Sequence, residues 1–193
     1  DDRKIIHVAG TNGKGSVCSY MANTLLKEGY SVGLFVSPHL LRINERIVVN
    51  GKEISDTIFE ESFRRLKNIS DEMVEEGYTH PSFFEFLFGM AMDVFTRENV
   101  EYIVLETGLG GRLDATNVIS RPMVTVITSV GLDHTDILGD TYESIAAEKA
   151  GIIKPGVPVV YDGSNETVNA VIRKIAKEKN AQAVALMPSE ISD

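Results

Sequence analysis

The chain has 193 residues, of which 43% are hydrophobic and 24% are charged, and these fractions are ordinary for a globular protein. Its formal net charge of −9 argues against sequence-independent binding of nucleic acid, which requires a basic surface. The single cysteine, Cys18, excludes an intramolecular disulfide, and no apolar run is long enough to span a bilayer. We therefore expect a cytoplasmic protein with neither nucleic acid nor a membrane as partner.

The first predicted strand covers the apolar residues 5–9 and leads directly into a glycine-rich loop. A helix predicted over 17–28 follows this loop and ends at Gly29. In such a strand–loop–helix unit, backbone N–H groups and the helix N-terminus attract a phosphate, and a lysine reaches its outer oxygens. A loop hydroxyl can bind Mg²⁺ or a phosphate oxygen. The predicted phosphate site consists of Gly10, Thr11, Asn12, Gly13, Lys14, Gly15 and Ser16.

This loop departs from the usual G-x-x-x-x-G-K-[ST] pattern at two positions. Val8 occupies the place of the first glycine, and Gly15 occupies the place of the hydroxyl residue. The first glycine is therefore Gly10, and the hydroxyl comes one position late, at Ser16. The alternative is a glycine-rich turn before an ordinary helix. We favour the phosphate site because strand, lysine and helix occur in the required order.

The next segment predicts a short strand, a hairpin and two helices. The strand covers 31–37, and the hairpin turns at Asn50-Gly51, which is a strong turn signal. The helices cover 56–76 and 83–97, and a serine precedes each as a plausible N-cap. The second helix is nearly apolar, so we interpret its aromatic side chains as core, with a ligand-binding wall as the alternative.

The rest of the chain alternates short apolar strands with helices, which predicts a doubly wound, mostly parallel α/β sheet. In such sheets, ligands bind beyond the carboxyl ends of the strands. The loop at Gly10, Ser37, Glu106 and His134 all follow predicted strand ends, so we expect them to converge. The predicted strands cover 102–105, 123–128, 157–161 and 183–187, and the predicted helices cover 142–150 and 165–179.

Three ionisable residues are candidates for chemistry at this edge. Glu106 ends a buried strand, where enzymes with phosphate loops place a Mg²⁺ ligand or a base, although loop N–H groups are an alternative partner. A lone histidine is more often structural, but the position of His134 at a strand end favours a functional role. Lys149 ends a predicted helix, where a lysine complements the helix dipole, so the residues alone favour a structural role for it.

Five motifs together resemble folylpolyglutamate synthase and dihydrofolate synthase, a branch of the Mur ligase superfamily. The run Ser-Pro-His-Leu at Ser37 and the run Gly-Leu-Gly-Gly-Arg-Leu-Asp-Ala-Thr-Asn at Gly108 are specific to the folate branch. The phosphate loop and the Glu148-Lys149 pair alone would indicate only the superfamily. The resemblance extends from Ile5 to about Pro158. The five motifs begin at Gly10, Ser37, Glu106, Gly131 and Glu148.

This resemblance implies a P-loop NTPase-like Mur ligase central domain that binds ATP on the Gly10–Ser16 loop. It implies that Ser37, Glu106 and His134 hold Mg²⁺. It also implies that Lys149 is carbamylated by CO₂ and helps to position a second metal ion, which would overturn its structural interpretation. The catalytic residues implied in this way are Lys14, Glu106, His134 and Lys149.

The resemblance also implies a substrate site. The pterin would bind the loop around Arg112, and the segment from Pro38 to Arg46 would be a mobile loop over the folate. The implied substrates are ATP, L-glutamate and a folate or dihydropteroate. The implied substrate-binding residues are Ser37, Pro38, His39, Arg46, Arg112, Asp114 and Ala115.

The implied activity is ATP-dependent formation of an amide between L-glutamate and a folate or pteroate carboxylate, through an acyl phosphate. Residues 1–193 would form an incomplete ATP-binding domain, without the C-terminal glutamate-ligase domain, so we expect this fragment alone to be an inactive monomer. One alternative is a Mur-type ligase that adds an amino acid to a UDP-linked sugar peptide, which the two folate-type motifs argue against. Another is a nucleotide-binding module without ligase chemistry, which the presence of Glu106, His134 and Lys149 together disfavours.

Overall fold

The computed structural model describes residues 3–133 and 135–187, and an eight-stranded sheet runs through its centre. The strands are β1 (Lys4–Ala9), β2 (Val32–Phe35), β3 (Ile47–Val49), β4 (Lys52–Glu53), β5 (Tyr102–Glu106), β6 (Val124–Ile127), β7 (Val159–Asp162) and β8 (Ala183–Leu186). The helices are α1 (Lys14–Lys27), α2 (Asp56–Glu75), α3 (Phe83–Arg97), α4 (Thr135–Leu138), α5 (Tyr142–Ala150) and α6 (Glu166–Glu178). Two 3₁₀ turns, Ile43–Arg46 and Ala115–Val118, were not predicted from the sequence.

The strand order is β4-β3-β2-β5-β1-β6-β7-β8, and every neighbouring pair from β2 to β8 is parallel. The prediction of a mostly parallel α/β sheet is therefore confirmed. β5 lies between β1 and β2, so the first two strands of the chain do not pair with each other. The loops that follow β1, β2 and β5 consequently emerge side by side at one edge of the sheet.

The predicted hairpin forms and extends the parallel sheet at one side. β3 pairs antiparallel with both β2 and β4. The turn between β3 and β4 has positive φ values of 50° at Asn50 and 78° at Gly51, as a two-residue hairpin turn of this type requires.

Alternate side chains of β1 face two different hydrophobic layers. Ile5 packs in the layer that contains α3, and Ile6 and Val8 pack in the layer that contains α1. Because both faces of β1 are buried from Ile5 onward, its sequence after the exposed Lys4 is continuously apolar apart from His7. Within residues 3–133 and 135–187, no helix is both long and apolar enough to cross a membrane.

Serine and threonine side chains cap the starts of the helices α2, α3 and α5. Ser55 accepts a hydrogen bond from the Ile58 N–H at the start of α2. Ser82 and Thr141 cap α3 and α5 in the same way. Since an N-cap satisfies one of the unpaired N–H groups of the first turn, these residues determine where each helix begins.

Candidate active site

A cleft of about 670 Å³ opens at the carboxyl ends of β1, β2 and β5. Its walls come from segments that are far apart in the sequence. The residues that were predicted to bind ligands and that line this cleft are Thr11, Lys14, Ser37, Pro38, Arg46, Arg112, Asp114 and Ala115. His134 lies outside the described residues.

The first glycine loop, residues 10–16, is held against the residues that follow the carboxyl end of β6. The Thr11 N–H donates to the carbonyl of Ser129 at 2.7 Å, and Thr128 Oγ1 donates to the carbonyl of Asn12 at 2.7 Å. A side chain at Gly10 would overlap Thr128 Oγ1, because the two segments pass so closely. The shape of the loop therefore depends on the absence of a side chain at Gly10.

Helix α1 begins at Lys14, three residues earlier than predicted, so the lysine belongs to its first turn. Gly13 is the N-cap, with φ 81°, and no side chain caps the helix. The first turn of α1 thus has no side-chain cap, an arrangement that leaves its N–H groups for an anion. The Nζ atom of Lys14 folds back over the loop and donates to the carbonyls of Gly10, at 3.0 Å, and Thr11, at 3.2 Å.

Glu106 is buried at the end of β5, with only 3% of its surface exposed. Its Oε2 atom accepts a hydrogen bond from the Ser37 N–H at 2.9 Å. Burial raises the pKa of the Glu106 carboxyl, although the Ser37 N–H and the charges of Lys14 and Arg46 oppose this shift. A side chain added at Gly15 would approach Oε2 to 3.6 Å, so the carboxylate lies against the first turn of α1.

Lys149 is also buried, and its side chain extends to the first glycine loop. Its Nζ atom donates to the carbonyl of Gly10 at 2.9 Å. Burial lowers the pKa of Lys149 to about 8, and the nearby charge of Lys14 contributes, whereas Asp133 opposes this shift. The structural interpretation made from the residues alone placed this lysine at the end of a helix to complement its dipole. Lys149 does lie in the last turn of α5, and the structure also directs its amine toward the loop predicted to bind phosphate.

The second glycine-rich loop, residues 108–114, is called the second glycine loop and is organised by Asp114. Its Oδ2 atom accepts hydrogen bonds from the N–H groups of Gly108, at 2.8 Å, and Leu109, at 2.9 Å. Arg112, the neighbouring predicted substrate residue, pairs with Glu148 through Nε at 2.9 Å and Nη2 at 2.8 Å. The contacts of Asp114 hold the start of the loop to its end, and the ion pair of Arg112 with Glu148 holds the loop to α5.

The segment between β2 and β3 contributes Ser37, Pro38 and Arg46 to the cleft. The peptide bond between Ser37 and Pro38 is cis. His39 does not line the cleft directly, but its Nδ1 atom accepts a hydrogen bond from Arg46 Nε at 2.9 Å. The guanidinium of Arg46 also lies 5.6 Å from the ring centre of Phe83. These contacts orient Arg46 at the mouth of the cleft, and the mobility of this segment stays a prediction.

Several residues that line the cleft were not predicted as site residues. Phe84 packs on Phe35, with ring centroids 5.6 Å apart, and also faces the cleft. It is therefore both core and wall, and the aromatic composition of α3 was the signal that suggested a wall. Asp133 and Glu148 belong to the recognised motifs but carried no predicted role, and Leu138 carried no signal at all.

The Mur ligase middle domain family matches residues 8–186 of the chain. The mitochondrial folylpolyglutamate synthase of Cricetulus griseus is 43% identical over 187 residues, which is 96% of this chain. The dihydrofolate synthase/folylpolyglutamate synthase of Bacillus subtilis is 44% identical over 179 residues, or 92% of this chain. The chain spans only 32% and 41% of the lengths of these two relatives.

The fold of this chain is also similar to solved structures of proteins from the same branch. The "FPGS-AMPPCP complex" has a TM-score of 0.91 at 36% identity, over 95% of this chain and 45% of that one. Escherichia coli FolC in complex with DHPP and ADP has a TM-score of 0.85 at 39% identity, over 93% of this chain and 41% of that one. These matches confirm the resemblance inferred from the five motifs.

Proposed function

The chain belongs to the Mur ligase middle domain family, and from this premise we propose that it is the ATP-binding part of a folylpolyglutamate synthase or dihydrofolate synthase. The observation that carries the proposal is the shared cleft. The phosphate loop, typical of the superfamily, lies there beside the two loops that are specific to the folate branch, at Ser37 and at Gly108. The proposed reaction is ATP-dependent formation of an amide between L-glutamate and a folate or dihydropteroate.

ATP would bind with its phosphates on the loop from Gly10 to Ser16. The uncapped first turn of α1 and the ammonium of Lys14 support this assignment, because both favour an anion at this place. The AMPPCP and ADP complexes of the structural relatives support it as well. Lys14 would leave its contacts with the loop carbonyls and turn toward the phosphate oxygens.

Ser37, Glu106 and His134 would hold Mg²⁺, and a divalent cation at this place would neutralise charge between the phosphates and the substrate carboxylate. The donor set fits, since Glu106 and Ser37 are already joined by a hydrogen bond and both offer oxygen ligands. Glu106 is a buried carboxylate with a raised pKa, and a bound cation would stabilise its charged form. Its Oε1 atom accepts no hydrogen bond from a described residue, so it is available as a ligand.

Lys149 would carry a carbamate. Carbamylation requires the neutral amine, which attacks CO₂ to form an N–C bond and releases one proton. A pKa of about 8 supports this role, because a substantial fraction of the amine is then neutral near physiological pH. The carbamate would replace a buried cation by an anion beside the loop at Gly10, where it would help to position a metal ion.

In the proposed reaction, a substrate carboxylate oxygen attacks the γ-phosphorus of ATP, and ADP leaves. The protein contributes positioning and charge neutralisation, through the N–H groups of the loop and the ammonium of Lys14. The glutamate amine then attacks the acyl carbon of the acyl phosphate. The C–N bond forms as the C–O bond to phosphate breaks, and the amine loses a proton.

The pterin end of the substrate would lie between the two folate-type loops. Arg112, Asp114 and Ala115 form one wall, and Phe84 adds an aromatic face that suits a flat heterocycle. On the opposite side, Arg46 would attract a carboxylate, with His39 holding its guanidinium in place.

We propose that residues beyond the described cleft complete the glutamate site in a second domain, since more than half of each relative lies outside the matched region. A cytoplasmic location and a monomeric state stay predictions.

The deciding experiment measures ADP release by the full-length protein with ATP, Mg²⁺ and L-glutamate. Dihydropteroate, tetrahydrofolate and a UDP-linked sugar peptide are supplied in separate reactions. Release with either pterin substrate, and none with the sugar peptide, is the expected result. Release with the sugar peptide alone would identify the Mur-type ligase instead. Nucleotide binding without release on any acceptor would identify a binding module.

A further inference from the structure

A buried histidine lies beneath the second glycine loop, and the proposed mechanism assigns it no task. His7 belongs to β1, the strand between β5 and β6, and its side chain is completely buried. Its Nε2 atom lies 2.7 Å from Thr116 Oγ1. Its Nδ1 atom has no hydrogen-bond partner within residues 3–133 and 135–187. A buried polar atom of this kind costs stability, so its retention calls for an explanation.

The neighbouring hydrogen bonds determine which nitrogen of His7 carries the proton. The Asp114 carboxylate accepts from the Thr116 hydroxyl at 2.5 Å and from the Thr116 N–H at 2.9 Å. The single hydroxyl proton of Thr116 is therefore donated to Asp114, and its oxygen is left as an acceptor. Nε2 of His7 must then be the donor, which leaves Nδ1 as the unpartnered nitrogen without a proton.

The surroundings of His7 keep the imidazole neutral. Burial lowers the pKa of His7 to about 3, and the positive charge of Lys154 contributes. The Nζ atom of Lys154 is held nearby by the carbonyl of Asn117, at 2.9 Å. A neutral ring with one fixed proton is a directional donor whose orientation does not change near neutral pH.

The hydrogen-bond chain ends at the wall of the cleft. Asp114 accepts from Thr116 with one carboxylate oxygen and from the N–H groups of Gly108 and Leu109 with the other. Gly108, Leu109 and Asp114 all line the cleft. A continuous path of hydrogen bonds therefore joins the centre of the sheet to the loop that faces the ligand.

We propose that His7 is a positioning residue, which acts through Thr116 to orient the Asp114 carboxylate and so fixes the cleft wall at Gly108 and Leu109. The inference rests on the proposed function, because this wall is the expected pterin site. It adds a specific role for a buried strand residue that touches no substrate. It also gives a reason for a histidine among the buried residues of a strand whose other buried residues are all apolar.

Four variants separate positioning from folding. His7→Leu removes the donor at similar size, whereas His7→Gln keeps an N–H donor in place of Nε2–H. Thr116→Val removes the hydroxyl that links the path, whereas Thr116→Ser keeps it. Thr125→Val is the matched control, because Thr125 is fully buried beside His7 in the adjacent strand β6 and its hydroxyl bonds to the carbonyl of Pro158, away from the cleft.

The enzymatic measurement uses the full-length protein and compares KM for the pterin substrate with KM for ATP. His7→Leu and Thr116→Val are expected to raise KM for the pterin substrate roughly fivefold, the effect of losing one hydrogen bond, with KM for ATP unchanged. His7→Gln and Thr116→Ser are expected to restore it. Thr125→Val is expected to lower the melting temperature without changing either KM. Equal changes in both KM values, or no rescue by glutamine, would overturn the inference.

A second measurement does not depend on turnover. In NMR spectra, His7 is expected to show the Nε2–H tautomer, and the amide signals of Gly108 and Leu109 are expected to shift in Thr116→Val but not in Thr125→Val. The opposite tautomer, or unshifted amides, would overturn the inference even if the enzyme is active. If the amides shift while the wild-type protein uses no pterin substrate, the positioning path stands and the proposed function fails.

Discussion

The Nζ atom of Lys149 donates a hydrogen bond to the carbonyl oxygen of Gly10 at 2.9 Å, although 139 positions separate the two residues in the chain. The contact joins the end of α5 to the loop that follows β1. It holds an amine in a buried place where its pKa falls to about 8. At pH 8 about half of this amine is therefore neutral, compared with less than about 1% of an ordinary lysine.

The low pKa predicts that Lys149 takes up CO₂ as the pH rises through 8, because only the neutral amine reacts. In ¹³C NMR with labelled bicarbonate, we expect a carbamate signal that grows between pH 7 and pH 9. Lys149→Arg should lack the signal and should lose ligase activity in the full-length protein. A signal that persists in Lys149→Arg, or activity that is indifferent to bicarbonate, would contradict the assignment.

Lys149 also predicts a pH dependence of stability in buffer free of CO₂. Its pKa is about 8 in the folded state and near 10.5 in the unfolded state, so the unfolded state binds more protons between these values. The free energy of unfolding contributed by this residue therefore increases as the pH rises from about 8 to 10.5. Urea titrations should show this increase in the wild type but not in Lys149→Met. Identical slopes in the two proteins would count against a buried amine.

Glu106→Gln is predicted to separate stability from activity. Because burial raises the pKa of Glu106, the folded state binds more protons than the unfolded state above pH 4.5, and this residue lowers stability as the pH rises through that window. Glutamine can still accept the Ser37 N–H but carries no charge. The variant should be at least as stable as the wild type at pH 7 while losing Mg²⁺-dependent ADP release. Thermal unfolding tests the predicted stability, and ADP release by the same preparation tests the predicted loss of activity.

Gly10→Ala is predicted to disrupt the first glycine loop, because the new methyl group would overlap Thr128 Oγ1. We expect a loss of about 2 kcal/mol in the free energy of unfolding and loss of nucleotide binding. Gly156→Ala is a suitable control, since Gly156 has a positive φ of 72° with open space around it. This control should cost about 1 kcal/mol and leave nucleotide affinity unchanged. Equal effects of the two substitutions would remove the case for a close contact at Gly10.

Lys14→Ala is predicted to abolish use of nucleotide by the full-length protein, since it removes the cation at the proposed phosphate site. Binding of an ATP analogue, measured by calorimetry, should weaken by at least about a hundredfold. Lys27→Ala, at the far end of the same helix, should bind as tightly as the wild type. Unchanged ADP release in Lys14→Ala would refute the assignment of the loop.

The sequence predicted the strands and the longer helices, but it predicted neither the short helix α4 nor the strand order. Val32–Phe35 and Tyr102–Glu106 are both short and apolar on both faces, so nothing in either run indicates that the second lies between β1 and β2. The start of α1 was also misplaced, because Gly15 is a poor helix former and tertiary contacts of the loop override its preference.

Contacts between side chains that are distant in the sequence could not be predicted either. Glu106 could be placed at a strand end, but its bond to the Ser37 N–H depends on the strand order. The destination of the Lys149 side chain depends on how α5 packs on the sheet, which the helix pattern does not specify. Arg112 and Glu148 were both in recognised motifs, yet only the fold brings them together.

The insertion of β5 between β1 and β2 has a consequence for how this protein is made on the ribosome. When residues 1–50 have emerged, β1 and β2 have no strand that pairs with both of them, and their joint neighbour is still about fifty residues away. β2 can already pair with β3 on one side, but the nascent chain must keep β1 and the other edge of β2 unpaired until residues 102–106 arrive. Slow translation between residues 50 and 100 would prolong this exposure and increase the need for a chaperone.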